Sequence, residues 1–262
     1  MEIVVCIKQV PDTTEVKIDP VKNTLIRDGV PSIVNPFDEY AMEAAVRIKE
    51  QCGAKITVLT MGPPQAASAL RKCLAMGADE AVLVSDRAVA GADTLATSFT
   101  LAKAIEKIGK PDIIFCGKMA IDGDTAQVGP GIAEHLGLPQ TTYVQKIREV
   151  SPHRLIVERV SDSGHELVSI PLPCVVTVDK AIGEPRYPSV KGSINASRQE
   201  IITWTAADIE APPDKTGLNG SCTQVMRIFT PQIQKHNEML SAESDEALCD
   251  LLLAKLQEAK IV

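Results

Sequence analysis

Between residues 54 and 137 the chain repeats one pattern: a short apolar run, a loop of small and turn-forming residues, then an amphipathic helical stretch. The runs 81–84 and 113–116 are wholly apolar, as strands buried on both faces are, and 55–60 also reads as a strand. The stretch 66–76 reads as a helix ending at Gly77. The positions Leu95, Phe99, Ala102, Ile105 and Ile108 keep helical period up to Gly109, behind an Asp93-Thr94 start. Strand and helix in strict alternation call for right-handed βαβ units on a parallel sheet, so the fold class is α/β with a Rossmann-like parallel sheet. Ligands of such sheets bind where strands end, which singles out the loops 7–14, 60–65, 85–94 and 116–129.

The last of these loops is the most informative. Ile113-Ile-Phe-Cys-Gly117 runs as a buried strand into Lys118-Met-Ala-Ile-Asp-Gly-Asp-Thr-Ala-Gln127, then into Val128-Gly-Pro-Gly-Ile132 and the helical Ala133-Glu-His-Leu136. A strand passing through small residues into a helix start leaves backbone N–H groups free, backed by the positive end of the helix dipole. That suits an anion such as a pyrophosphate. Asp124-Thr125-Ala126-Gln127 fits a capping box, and Pro130 places the helix start close to itself or opens its early turns. A plain βα turn with a good cap explains the same residues. Asp122 and Asp124, as an acid–base pair, compete with their reading as a turn former and a cap.

Upstream, 3–7 is a first buried strand. Val16 to Ile18 and Thr24 to Ile26 alternate around Asp19-Pro20…Asn23 as a hairpin. Asn35 must be extended ahead of Pro36, and Asp38 is expected to cap a helix that closes at Gly53. After Pro139 the texture becomes hairpin-rich, with strands at 141–147, 154–160 and 166–170, a turn at 161–164 and a buried strand at 174–179. The segment 183–191 reads as helix-poor. Pro212-Pro213 and Gly217…Gly220 mark a linker, and Ala247, Leu248, Leu251, Leu252 and Leu256 form one apolar stripe on a terminal helix. The expected organisation is an α/β domain over 1–210, then a linker and C-terminal arm over 211–262.

A net charge of −7 and 3% aromatic residues argue against a nucleic-acid binder. No apolar stretch approaches the roughly 18 residues of a membrane span, and the start of the chain enters a strand rather than a signal peptide, so a cytoplasmic protein is expected. The seven scattered cysteines contain no CxxC pair and the four histidines are dispersed, so neither disulfides nor a metal centre is expected. GxGxxG after a strand, GxxxxGK[ST], GxSxG and HExxH are all missing. Any redox chemistry must then be carried by a bound cofactor.

Cys6-Ile-Lys-Gln-Val-Pro-Asp12, Asn35-Pro-Phe-Asp38, Leu74-Ala-Met-Gly-Ala-Asp79, the 117–127 loop, Pro173-Cys-Val-Val-Thr-Val178 and Glu184-Pro-Arg-Tyr187 occur in one order along nearly the whole chain. Together they resemble the β subunit of electron transfer flavoprotein. The resemblance implies an adenine nucleotide-binding, three-layer α/β domain paired with an α subunit that carries FAD. Ordinary members hold AMP here as a structural ligand. Electron-bifurcating members hold a second FAD, which takes hydride from NADH and sends one electron to ferredoxin and the other to the α-subunit flavin. The family's nucleotide site falls on Cys6, Asn35, Phe37, Asp38, Met61, Gly117, Asp122, Gly123, Asp124, Thr125, Ala126, Gln127 and Val128.

Asp86 to Ser98 looks like the stretch by which bifurcating members hold their extra flavin. Asp93, Thr94 and Thr97 are its candidate donors, although a helix cap accounts for the same residues. The bifurcating kind is the expectation, with the AMP-holding kind as the alternative. Residues 187–197 align with the loop that docks an acyl-CoA or other dehydrogenase. There Tyr187 and Val190 are the recognition residues, Val190 standing where leucine is usual. The leucine-striped terminal helix is expected to wrap on the α subunit.

Overall fold

The computed structural model describes residues 1–12, 18–19, 24–25, 31–226 and 237–262. They divide into two compact units, Met1–Met226 and Arg227–Val262. In the first unit, β1 (Glu2–Cys6), β2 (Lys55–Met61), β3 (Glu80–Val84) and β4 (Ile113–Gly117) are buried along nearly their whole length. This is the burial that apolar runs such as 3–6, 81–84 and 113–116 demand.

They belong to a nine-stranded sheet. The remaining strands are β5 (Gln140–Val150), β6 (Arg154–Ser161), β7 (Gly164–Pro171), β8 (Cys174–Val178) and β9 (Ile202–Trp204). The order across the sheet is β7-β6-β5-β8-β4-β1-β2-β3-β9. Every pair from β5 to β9 across the sheet is parallel. Only β5–β6 and β6–β7 are antiparallel, and they form the hairpin-rich later half.

Alternate side chains of the central strands enter two cores, one on each face. Ile3, Val5, Ile56, Val58, Ile113 and Phe115 pack beneath α1 (Pro36–Cys52) and α2 (Ala67–Met76). Val4, Leu59, Ile114 and Val175 pack beneath α3 (Thr94–Ile108) and α4 (Val128–Leu136). Each fully buried Ile, Leu or Phe contributes about 1.5–3 kcal/mol, so the central four strands dominate stability. The result is the parallel-dominated sheet the alternation predicts, in the three-layer α/β arrangement the resemblance implies.

Two expectations are corrected, and one strand is added. Helix α1 starts at Pro36, with Asn35 (φ −52°, ψ 126°) as its N-cap residue and no side-chain cap; Asp38 lies inside the first turn and its carboxylate turns away from the helix start. Residues Val190–Arg198 form a helix, α5, capped by the Ser189 hydroxyl accepting the Gly192 N–H (2.9 Å). The segment 183–191, expected to be helix-poor, is free of helix up to Ser189, and only its last two residues open α5; Gly192, Ser193 and Asn195 are weak helix formers, and packing of Ala196 against the core overrides them. Strand β9 is too short to stand out as a pattern, and pairing with β3 makes it.

Of the predicted hairpin, Ile18 pairs with Leu25 and Asp19 with Thr24 in antiparallel register. Its other residues, and positions 13–14 of the first loop, lie outside the described residues. In the second unit, α6 (Asp245–Glu258) is capped by Ser244 and leaves Leu251, Leu252 and Leu253 exposed.

Candidate functional site

Strands β1 and β4 are neighbours in register, Cys6 beside Cys116. From β1 the chain builds outward through β2 and β3 on one side, while β4 lies on the other. This reversal of strand order makes β1/β4 a topological switch point, and the crevice expected at its carboxyl ends is the usual ligand position in such sheets.

Asp38 bridges the crevice floor. Its Oδ2 accepts the Lys8 N–H (2.7 Å) and its Oδ1 the Gly117 N–H (3.2 Å), tying the ends of β1 and β4 to the first turn of α1. Burial pushes the Asp38 carboxyl up to about 7, outweighing the hydrogen bonds from Lys8, Asn35 and Gly117 that favour the ionised form. Gly117 is required by proximity. A Cβ there meets the Asp38 carboxylate and lies 2.7 Å from the Phe37 carbonyl carbon.

The Asn35 side chain then holds the loop from beneath. It donates to the Met119 carbonyl (2.9 Å) and accepts the Ile121 N–H (3.1 Å). The Lys8 ammonium reaches Asp122 (2.6 Å). Cys6, Asn35, Asp38, Gly117 and Asp122 are thus brought together, with Lys8, which the sequence pattern did not single out, as their link.

The capping box does not form. Helix α4 begins at Val128 with Gln127 (φ −103°, ψ −23°) at its N-cap and no side chain capping it. Asp124 (φ 49°) and Ala126 (φ 53°) adopt left-handed backbone, which turns Asp124 away from a cap geometry. Instead, the Ala120 carbonyl accepts the Gly123 and Asp124 N–H groups at 3.2 and 2.9 Å. Each left-handed non-glycine residue costs about 1–2 kcal/mol, and strain of this kind gathers at ligand loops.

Pro130 falls in the first turn of α4, where no intrahelical acceptor awaits an N–H. The helix sits close to its neighbours. A Cβ on Gly129 lies 2.6 Å from Thr177 Cγ2, and one on Gly131 lies 2.8 Å from Ser98 Cβ, against α3.

The 86–98 stretch reaches the same place. The Thr94 hydroxyl donates to Gln127 Oε1 (2.8 Å), joining the starts of α3 and α4. Asp93 is a helix cap: its Oδ1 accepts the Leu95 and Ala96 N–H groups at 3.0 Å. Its Oδ2 accepts from Thr223 N–H (3.0 Å) and hydroxyl (3.1 Å). Burial raises the Asp93 carboxyl, but the Ala96 and Thr223 hydrogen bonds outweigh it and hold the group below its usual value. Thr97 lies one turn further on, half-buried, its N–H on the Asp93 carbonyl (2.9 Å). Met61 ends β2, two residues past Leu59, the register partner of Cys6.

The Phe37 ring lies beside the Lys118 ammonium. The Lys118 ammonium lies 5.4 Å from the Phe37 ring, 5.6 Å from Tyr143 and 3.0 Å from Asp179. Tyr143 (φ 57°) is aimed there at a register shift between β8 and β5. Lys118 is signalled by its place next to Gly117; nothing in the local sequence signals Tyr143, because a bulge depends on the neighbouring strand. Tyr187 and Val190 lie elsewhere on the unit, 95% and 80% exposed. Among the described residues no cluster of His, Cys, Asp and Glu is arranged to hold a metal. No helix among them is long and apolar enough to cross a membrane.

A parallel-dominated sheet covered by helices on both faces, with a switch point between β1 and β4 and an uncapped helix start behind a strained loop, defines a three-layer α/β protein. Residues 22–209 match the model of the electron transfer flavoprotein domain. The chain is 53% identical over 253 residues to an electron transfer flavoprotein subunit beta of Thermoanaerobacterium thermosaccharolyticum, covering 96% of each. It is 50% identical to the caffeyl-CoA reductase-Etf complex subunit CarD of Acetobacterium woodii over 100% of both chains. It is also 48% identical to the protein FixA of Azorhizobium caulinodans, over 98% of this chain and 94% of FixA. The chain belongs to the electron transfer flavoprotein family, as a beta-type subunit in electron transfer.

Proposed function

We propose that this chain binds FAD in the crevice and pairs in the cytoplasm with an α subunit that carries a second FAD. The observation that carries this reading is the meeting of the α3 and α4 starts through Thr94 and Gln127, beside a loop strained at Asp124 and Ala126. A lone phosphate needs only one helix start. A pyrophosphate likewise sits on one, and a second start beside it leaves donors for the longer tail of a dinucleotide.

The leading N–H groups of α4 and the 124–127 backbone suit the diphosphate, and Thr94 and Thr97 suit the ribityl side. Bound there, FAD supplies hydride acceptance from NADH and one-electron release to ferredoxin and to the α-subunit flavin. The chain's own part is positional. Asp38 and Asn35 hold the loop, Lys8 balances Asp122, and the buried Cys6 and Cys116 line the floor. Tyr187 and Val190 dock a partner dehydrogenase. Similarity to a protein named as part of a caffeyl-CoA reductase complex supports an acyl-CoA dehydrogenase as that partner. The exposed leucines of α6 suit contact with the α subunit.

One observation favours AMP instead: both oxygens of Asp93 are engaged by the chain itself, which leaves that carboxylate little capacity for a flavin. Denaturing the purified heterodimer and chromatographing the released ligands separates the readings. Two FAD per heterodimer support bifurcation; one FAD with one AMP rejects it.

A further inference from the structure

We infer that Arg186 is a positioning residue that fastens the partner-docking segment to α1, the helix whose first turn forms the floor of the nucleotide crevice. The inference rests on the proposed docking role of Tyr187 and Val190. Glu43, on α1, is 3% exposed and accepts from both the Arg186 backbone N–H (3.1 Å) and its guanidinium, with Nε at 2.8 Å and Nη2 at 3.2 Å. The outer edge of the same guanidinium grips Glu50 through Nη1 (2.5 Å) and Nη2 (3.0 Å).

Arg47 completes the clamp. Its Nε pairs with Glu43 (2.7 Å), while Nη1 and Nη2 donate to the carbonyls of Ile182 (3.1 Å) and Glu184 (3.3 Å). A Cβ on Gly183 strikes the Arg47 guanidinium, so the backbone passes directly over it. Burial raises the Glu43 carboxyl, and its bonds to Arg186 and Arg47 more than offset this, so Glu43 stays ionised.

The far end of the segment is fastened as firmly. Arg71 donates to the Ala196 carbonyl (2.8 Å), and Gly192 lets α5 rest on the Ala75 carbonyl of α2. Between these two anchors Tyr187, Val190 and Ile194 stay exposed, Val190 and Ile194 one helical turn apart. A bidentate arginine fork on two carboxylates is a rigid fixture, and a segment already ordered loses less freedom on docking. Glu43 and Asp38 lie on the same helix, so one strut carries both the crevice floor and the docking segment.

The test uses the heterodimer, with electron delivery to an acyl-CoA dehydrogenase as the assay and amide hydrogen exchange over 187–199 as the second measurement. In Arg186→Gln the KM for the dehydrogenase should rise about tenfold, since the loosened segment must be ordered on binding. The kcat at saturating dehydrogenase and the bound-flavin content should hold, exchange over 187–195 should quicken, and Arg186→Lys should recover part of the loss. An unchanged KM in Arg186→Gln overturns the inference. If that variant does not fold, Glu50→Gln, which removes only the outer grip, takes its place in the same assay, and an unchanged KM there overturns the inference equally. Tyr187→Ala and Val190→Ala separate the two levels. Should neither raise KM, the docking reading itself falls and takes the clamp with it; should they raise KM while the Arg186 variants do not, the clamp alone is wrong.

Discussion

Gly117→Ala tests whether close approach at the switch point holds the crevice together. The added methyl meets the Asp38 carboxylate and lies 2.7 Å from the Phe37 carbonyl carbon and 2.8 Å from the Asp38 nitrogen. The last two are backbone atoms in the first turn of α1, so no side-chain rotation relieves the contact. The strand end and the helix must separate by about half an ångström or more, which strains a well-packed core by about 1–3 kcal/mol. The same displacement breaks the Gly117 N–H bond to Asp38, now 3.2 Å. A buried acceptor deprived of a donor loses about 1–3 kcal/mol more.

Together these come to about 2–6 kcal/mol, a fall in Tm of about 4–24 °C for a chain of this size. Gly123→Ala is the matched control. Its Cβ meets nothing within 4 Å, so the change should stay within about 0.5 kcal/mol. Calorimetric melting of both heterodimers, with the nucleotide content of each, gives the comparison. Gly117→Ala melting level with Gly123→Ala would refute the reasoning.

Three further outcomes follow from the site. Asp38 titrates at about 7 in the fold against an ordinary 3.8, so between those values the native state holds a proton the unfolded chain has lost. Its contribution is therefore greatest below about pH 4 and falls as pH rises toward 7, by at most about 1.4 kcal/mol per unit. Asp38→Asn should flatten that slope in urea titrations from pH 5 to 8, and an unchanged slope assigns the titration elsewhere. Asp93→Ala should cost about 1–2 kcal/mol through loss of the α3 cap. Thr94→Ala should leave the melting point in place and lower ligand retention, and equal melting of the two variants contradicts the cap geometry. Asp124→Gly and Ala126→Gly should each stabilise the fold by up to about 1 kcal/mol by relieving left-handed strain, read as a higher denaturant midpoint. A fall in midpoint would mean the loop is not strained.

The strand–helix alternation, the four central strands, the hairpin after Pro139 and the loops at strand ends were all legible in sequence, because period and burial are local properties. The crevice residues came partly from pattern and partly from resemblance. The signals that failed share a cause. Asp38 resembles a cap beside Pro36, and Asp124 to Gln127 resembles a capping box, yet Lys8 and Gly117 claim one carboxylate and a left-handed turn removes the other. A short polar side chain has several acceptable local partners, and a distant one decides between them.

What the sequence determined alone was the class: apolar runs that must be buried on both faces leave a covered parallel sheet as their solution, and such a sheet binds at its strand ends. Tertiary structure alone decided which carboxylates serve the crevice and which serve the chain. Asp38 spans two strand ends, Asp93 clasps Thr223, and Glu43 grips Arg186, through contacts that join positions 30 to 143 residues apart. Pairings at that separation depend on how the layers stack, and no local pattern records them.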